Sequence, residues 1–261
     1  MKSILIQANA KINLNFKILD KRPDNYHNVE STFQSIDLAD FVSIEKAKKD
    51  YFSGGILCPE SENIILKAKN LLEKTVKKKL PCQIHLQKVI PISAGLGGGS
   101  ADAAATLVGL NLLYNLNLNK RELAKIGIRI GADVPFFLYG GTCQVGRRGE
   151  RIKPIKIRVP KIFVLFRPHK RIETKMMYKL HDKTGKDFLA ICENICPEIK
   201  KLKRYFGKFD LKLHLSGSGP TVFCKVNDYQ LAKKIVEGYP EFNGDIFICH
   251  PQKEAIKAIS T

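Results

Sequence analysis

Apolar and polar residues alternate along residues 4–19, with Ile12, Leu14, Phe16 and Ile18 on one face and Lys11 and Asn13 together on the other. That period of two predicts a strand. Arg22-Pro23-Asp24-Asn25 predicts a turn, since asparagine tolerates a left-handed backbone. Residues 29–44 read as one or two further strands, with Tyr26 and His27 where the turn re-enters the sheet. A loop over residues 58–62 follows, and then the period lengthens. Ile64, Ile65, Ala68, Leu71 and Leu72 predict a basic helix over 64–79, ended by Pro81. Residues 83–90 return to strand. Ala104, Leu107, Val108, Asn111 and Leu112 predict a helix over 100–113 with Ser100 as N-cap. Asn119 with Glu122 is a variant capping box opening another helix, which Gly131 stops.

Beyond a Gly140-Gly141 turn, a strand at 142–145 and a turn at 146–149, the composition changes near Lys153-Pro154. Residues 155–167 read as a strand pair broken at Pro160. Residues 174–180 open a helix, and 188–206 are largely helical. A strand at 211–215 runs into Ser216-Gly-Ser-Gly-Pro220. A strand at 221–226, a helix at 229–238 and a last strand at 245–250 complete the chain. The pattern predicts an α+β protein of two lobes, residues 1–153 and 154–261, with no internal repeat.

One stretch breaks every period: Pro91-Ile92-Ser93-Ala94-Gly95-Leu96-Gly97-Gly98-Gly99-Ser100-Ala101. Glycine takes positive φ cheaply and lets the backbone approach a ligand. Strand, glycine loop and helix start aim backbone N–H groups and the positive helix end at an anion, usually phosphate. A Walker loop would need lysine after the last glycine, and Gly99 is followed by Ser100 and Ala101. The dinucleotide fingerprint fails because Ser100 occupies its last glycine position. A flexible linker would not run straight into an apolar-faced helix.

The chain has 261 residues and a formal charge of +19. That charge suggests anionic partners: nucleic acid, a membrane surface or phosphorylated small molecules. The lysines are spread in separate runs, which equally fits a solvated basic surface. The N-terminus lacks the apolar stretch of an export signal, and no run reaches membrane-spanning length. The seven cysteines include no Cys-x-x-Cys, so the expectation is a cytoplasmic protein with reduced thiols and no zinc site.

Ala10-Lys-Ile-Asn-Leu14, Asp24-Asn-Tyr-His27, the glycine stretch, Gly131-Ala-Asp-Val-Pro-Phe136 and Leu215-Ser-Gly-Ser-Gly219 together resemble the GHMP small-molecule kinases, in order and spacing, over nearly the whole chain. The resemblance implies an N-terminal lobe like a ribosomal-protein fold and a C-terminal α/β sandwich lobe. It implies ATP and Mg²⁺ as cofactors and a small-molecule acceptor, neither nucleic acid nor membrane. The Ala-Lys-Ile-Asn-Leu opening, the Tyr-His pair and Gly-Ala-Asp-Val-Pro-Phe resemble the branch that phosphorylates the 2-hydroxyl of a cytidine-diphosphate-linked methylerythritol in non-mevalonate isoprenoid synthesis.

The resemblance implies residue roles. Asp133 matches the catalytic aspartate, and Lys11 its partner, an ammonium that favours the charged carboxylate. The plain alternatives are a helix cap for Asp133 and an ordinary strand lysine for Lys11. Asn13, Tyr26, His27, Phe33 and Tyr178 match the cytidine-substrate positions; for Phe33 the alternative is core packing. Residues 91–101 would hold the ATP phosphates, with the Ser100 hydroxyl on a phosphate or on Mg²⁺. Asn63 and Lys88 match positions near adenine, while Asp102 reads as a partner of the helix dipole. Asn9, Asn25, Ser93 and Ala101 depart from the family pattern, and Arg147-Arg148 is unusual. The rivals are another GHMP kinase, of mevalonate or homoserine type, and a nucleic-acid-binding protein.

Overall fold

A computed structural model describes residues 2–54, 59, 61–147 and 149–259. Arg148 and, of the expected 58–62 loop, Cys58 and Glu60 lie outside them. The opening alternation forms one long strand, β1 (Ser3–Lys21), and the left-handed Asn25 turns the chain into β2 (His27–Lys46), one strand rather than two. After β3 (Tyr51–Gly54) come α1 (Ile64–Val76) and β4 (Cys82–Gln87). The helix stops short of the expected 79 because Lys77 turns left-handed and the Glu73 carboxylate accepts the Leu80 N–H. Then follow α2 (Gly98–Leu113), α3 (Lys120–Gly127), α4 (Val134–Tyr139), β5 (Thr142–Arg147) and β6 (Arg151–Pro154). The Asn119–Glu122 capping box is complete on both sides. The regular helix it opens ends at Gly127, where the bonds tighten (Arg129 N–H to the Ile126 carbonyl, Ile130 N–H to the Gly127 carbonyl), and turns carry the chain to Gly131.

The second part contains β7 (Ile162–Pro168), α5 (Thr174–Thr184), α6 (Phe188–Ile195), α7 (Pro197–Gly207), β8 (His214–Leu215), β9 (Val222–Val226), α8 (Tyr229–Glu237), β10 (Gly244–Cys249) and β11 (Ile256–Ile259). The expected strand pair at 155–167 is one strand only. Its supposed first member is irregular, and β6 before it pairs with β5. The helical run at 188–206 breaks at Cys196.

Two sheets result. One runs β11-β1-β2-β4-β3, with β5 also on β2 and β6 on β5; the other runs β10-β7-β9-β8. Helices α1 to α4 pack on one another, with α2 against β1 and β2. Beyond residue 153 the chain does not stay in the second lobe. Pro154 ends β6 in the first sheet, and β11 returns to pair antiparallel with β1. The apolar face of β1 threads three cores. Ile4, Ile6 and Ala8 join the core under α1 to α4; Ala10, Ile12 and Leu14 pack with Phe163, Leu165 and Phe223 between the lobes; Phe16 and Ile18 reach the core of the second lobe. The polar face of the same strand is therefore held at the junction of the two lobes.

Candidate active site

The glycine stretch leaves β4 and enters α2. Ser93, Gly95 and Gly97 carry φ of 55°, 76° and 72°. A side chain at Gly95 would put its Cβ 2.2 Å from the Ser216 carbonyl oxygen, so the second lobe touches the loop backbone there. Ser216 Oγ donates to the Gly95 carbonyl at 2.9 Å, and the Leu96 carbonyl accepts the Lys11 N–H at 3.0 Å. Gly97, not Ser100, is the N-cap of α2, and Ser100 lies inside the first turn. A glycine cap has no side chain to satisfy the first N–H groups of the helix, which stay available to an anion.

Lys11 and Asn13 share one face of β1 as expected. Lys11 is 3% exposed, and its ammonium donates to Asn13 Oδ1 at 2.8 Å. Asn13 Nδ2 donates to Ser31 Oγ at 2.9 Å. The ammonium also lies 4.6 Å from the centre of the Phe33 ring and 3.7 Å from Asp133 Oδ2. Burial pushes the Lys11 pKa down, and the Asp133 charge partly offsets it. Asp133 occupies the N-cap position of α4, but its side chain makes no capping bond. The carboxylate is one-third exposed. It lines a cleft of about 860 Å³ with Lys11, Asn13, Phe33, the loop residues Ser93, Gly95 and Gly97, and Gly217 to Gly219 of the second lobe. Tyr178 lines the same cleft, and burial followed by the Asp133 charge pushes its phenol up to about 12.

A second cavity of about 590 Å³ shares Tyr26, Val29, Thr174 and Tyr178 with this cleft. His27 stacks on Tyr178 with ring centres 4.9 Å apart. Its Nε2 lies 2.7 Å from Asp182 Oδ1, and the Lys21 ammonium meets Asp182 Oδ2 at the same distance. The Lys21 contact first, then His27, holds the Asp182 carboxyl below the usual range. Tyr26 is 55% exposed at the rim of both spaces. Phe33 both lines the cleft and packs edge-on against Phe136 in the core. Asp182, Phe16, Phe188 and Arg171 enter this region without having been anticipated. Asp182 lies on α5, far in sequence from His27, and no local pattern marks it.

Asn63 and Lys88 stand apart from the cleft lining. Asn63 caps α1, its Oδ1 accepting the N–H groups of Ile65 and Leu66. The Lys88 ammonium donates to Asp40 and to Asp102. Asp102 is thus more than a partner of the helix dipole: it is 1% exposed and ion-paired. Burial pushes its carboxyl up to about 7, with Lys88 opposing and Asp40 adding to the shift. Ser100 lies near Gly131, where a Cβ would be 3.7 Å from Ser100 Oγ, and so faces the segment that carries Asp133.

The family described as GHMP kinases N terminal domain matches residues 63–141, and GHMP kinases C terminal matches residues 174–245. The chain is 36% identical to a protein of Caldanaerobacter subterraneus named 4-diphosphocytidyl-2-C-methyl-D-erythritol kinase, over 92% of each chain. It is 34% identical to a protein of the same name from Listeria welshimeri, over 97% of each. Among solved structures, a 4-(cytidine 5'-diphospho)-2C-methyl-D-erythritol kinase superposes with a TM-score of 0.81 at 27% identity, covering 95% of this chain and 98% of the other. A homoserine kinase from Cytophaga hutchinsonii has a TM-score of 0.78 at 18% identity, over 99% and 98%, a likeness of fold.

Proposed function

The chain belongs to the GHMP kinases, in the group of 4-diphosphocytidyl-2-C-methyl-D-erythritol kinases, and from that membership we propose that it transfers the γ-phosphoryl group of ATP to the 2-hydroxyl of 4-diphosphocytidyl-2-C-methyl-D-erythritol. One observation carries the assignment of roles. At the cleft between glycine loop and aromatic cluster, the Asp133 carboxylate is not spent on capping and stands 3.7 Å from a buried ammonium.

Phosphoryl transfer asks a protein for positioning and charge neutralisation more than for covalent chemistry. The first N–H groups of α2 and the loop of residues 91–101 hold the phosphates. Asp133 accepts the proton of the attacking hydroxyl. Lys11, fixed by Asn13, holds the carboxylate in place, and Asn13 offers polar contact to the acceptor. Tyr26, His27, Phe33 and Tyr178 supply aromatic surface and hydrogen-bonding groups for the cytidine part.

Magnesium keeps several waters and phosphate oxygens and needs only one or two protein oxygens. No group of three or more His, Cys, Asp or Glu side chains that could cage a metal stands among the described residues. Ser100 Oγ, in the first turn of α2 beside the phosphate loop, is a hydroxyl of the kind that would hold such an ion, with the nucleotide's phosphates and water completing its shell. When bound, it would neutralise charge on the transferring phosphoryl group.

The test is ADP release by the purified protein across acceptors. Turnover is expected with the cytidine-linked compound and not with free methylerythritol phosphate, mevalonate, homoserine or galactose. Equal turnover of free methylerythritol phosphate would remove the cytidine site from the reading. Turnover of homoserine alone would move the chain to the homoserine kinases.

A further inference from the structure

We propose that Lys88 is a positioning residue for nucleotide binding: from the core side of the glycine loop it clamps the N-terminal end of α2 to β2 through Asp102 and Asp40, and it does not itself meet the nucleotide. The proposal rests on the reading of residues 91–101 as the phosphate loop.

The ammonium donates to Asp40 Oδ2 and, at 2.8 Å, to Asp102 Oδ2, so two of its three donors are committed. The side chain is 10% exposed, and its two carboxylates are 0% and 1% exposed. Asp40 is committed in turn. Its other oxygen accepts the N–H groups of Val89 at 2.6 Å and Ile90 at 2.8 Å, the residues that lead into the loop. One carboxylate on β2 therefore ties down both the lysine and the entry to the loop.

The clamp lies directly beneath the backbone in question. A Cβ at Gly98, the first residue of α2, would lie 2.8 Å from Lys88 Nζ and 2.9 Å from Ile90 Cγ2. Loop backbone and ammonium are in contact with no side chain between them. Asp102 Oδ1 is buried and has no hydrogen-bond partner among the described residues, so Lys88 is what compensates that carboxylate. Removing the ammonium leaves the Asp40 and Asp102 carboxyls buried side by side, so that Asp102 takes up a proton or the two separate, and either way the tie between β2 and α2 is lost. The tied end of α2 carries the N–H groups offered to phosphate.

The deciding probe is a ligand with phosphates and no base. Dissociation constants for ATP, for inorganic tripolyphosphate and for 4-diphosphocytidyl-2-C-methyl-D-erythritol are measured by calorimetry on the wild type, Lys88→Met, Lys88→Arg and Asp102→Ala. Lys88→Met is expected to weaken ATP and tripolyphosphate by the same factor of about tenfold, the equivalent of one charge-assisted hydrogen bond. Asp102→Ala, which keeps the lysine, is expected to weaken both in the same way. Lys88→Arg should recover part of the loss, and the cytidine compound should bind all variants within about twofold, since it meets other elements. If Lys88→Met weakens ATP but not tripolyphosphate, or Asp102→Ala binds ATP as the wild type does, Lys88 meets the base and the proposal falls. It falls as well if all three ligands and the melting temperature decline together. Should Lys88→Met not fold, the Asp102→Ala and Lys88→Arg measurements decide alone. Failure of the kinase reading itself would appear separately, as a wild type that neither binds ATP nor phosphorylates the cytidine compound.

Discussion

Asp133 sits where a cap residue would sit and does not cap, and that separates two roles a lone aspartate can have. Asp133→Asn keeps size and hydrogen bonding but removes charge and basicity. It is expected to lower single-turnover phosphorylation by ~10²–10⁴-fold, the usual scale of general-base catalysis, with ATP affinity and melting temperature little changed. Lys11→Met should slow the same step. The double variant should be less damaged than the product of the singles, because the two groups act as a unit. Full activity in Asp133→Asn would rule out the assignment. Lys11 and Asn13 were legible as neighbours because a strand repeats every two residues, and Lys11 does bond Asn13. His27 with Asp182 was not, because the pairing joins β2 to a helix of the other lobe.

At the scale of elements, the glycine loop was visible as glycines but its shape was not. Ser100 resembles an N-cap in sequence, yet the left-handed Gly97 starts the helix earlier. Each loop glycine has its own neighbour: Gly95 meets the Ser216 carbonyl, Gly97 meets Phe137 and Lys11, and Gly98 meets Lys88. Gly95→Ala is therefore the sharpest element-level probe. Its Cβ would lie 2.2 Å from backbone oxygen, at a φ of 76° that costs a side-chain-bearing residue about 1–2 kcal/mol before any clash. The expected result is a lower melting temperature together with weaker ATP binding, read by thermal denaturation and nucleotide titration. Unchanged ATP affinity would mean that contact between the loop and the second lobe does not shape the nucleotide site.

For the whole molecule, the two sheets are not two independent units. Phe163, Leu165, Phe223 and Cys249 of the second sheet pack on Ala10, Ile12, Leu14, Ile36 and Leu38 of the first. β11 closes the edge of the first sheet from the far end of the chain. A single calorimetric unfolding transition is expected, with calorimetric and van't Hoff enthalpies in agreement. A fragment of residues 1–153 should fail to fold cooperatively, since it would expose that shared apolar face and leave β1 unpaired on one side. Two resolved transitions, or a stable fragment, would contradict this.

The sequence by itself determined what rests on local physics. Strand and helix periods, the Asn25 turn, the Asn119–Glu122 capping box and the glycine loop all follow from backbone preferences and the one-sided burial of an element. The motifs in their order pointed to the family that the comparisons show. Tertiary structure alone decided the pairings between distant segments. It set Lys88 between Asp40 and Asp102, put Asp182 on His27, gave Asn63 a capping role and returned β11 to β1. A charged side chain has the same local pattern whether it meets solvent, ligand or a buried partner. Which of these it meets is settled only when the sheets and helices close around it and water is excluded.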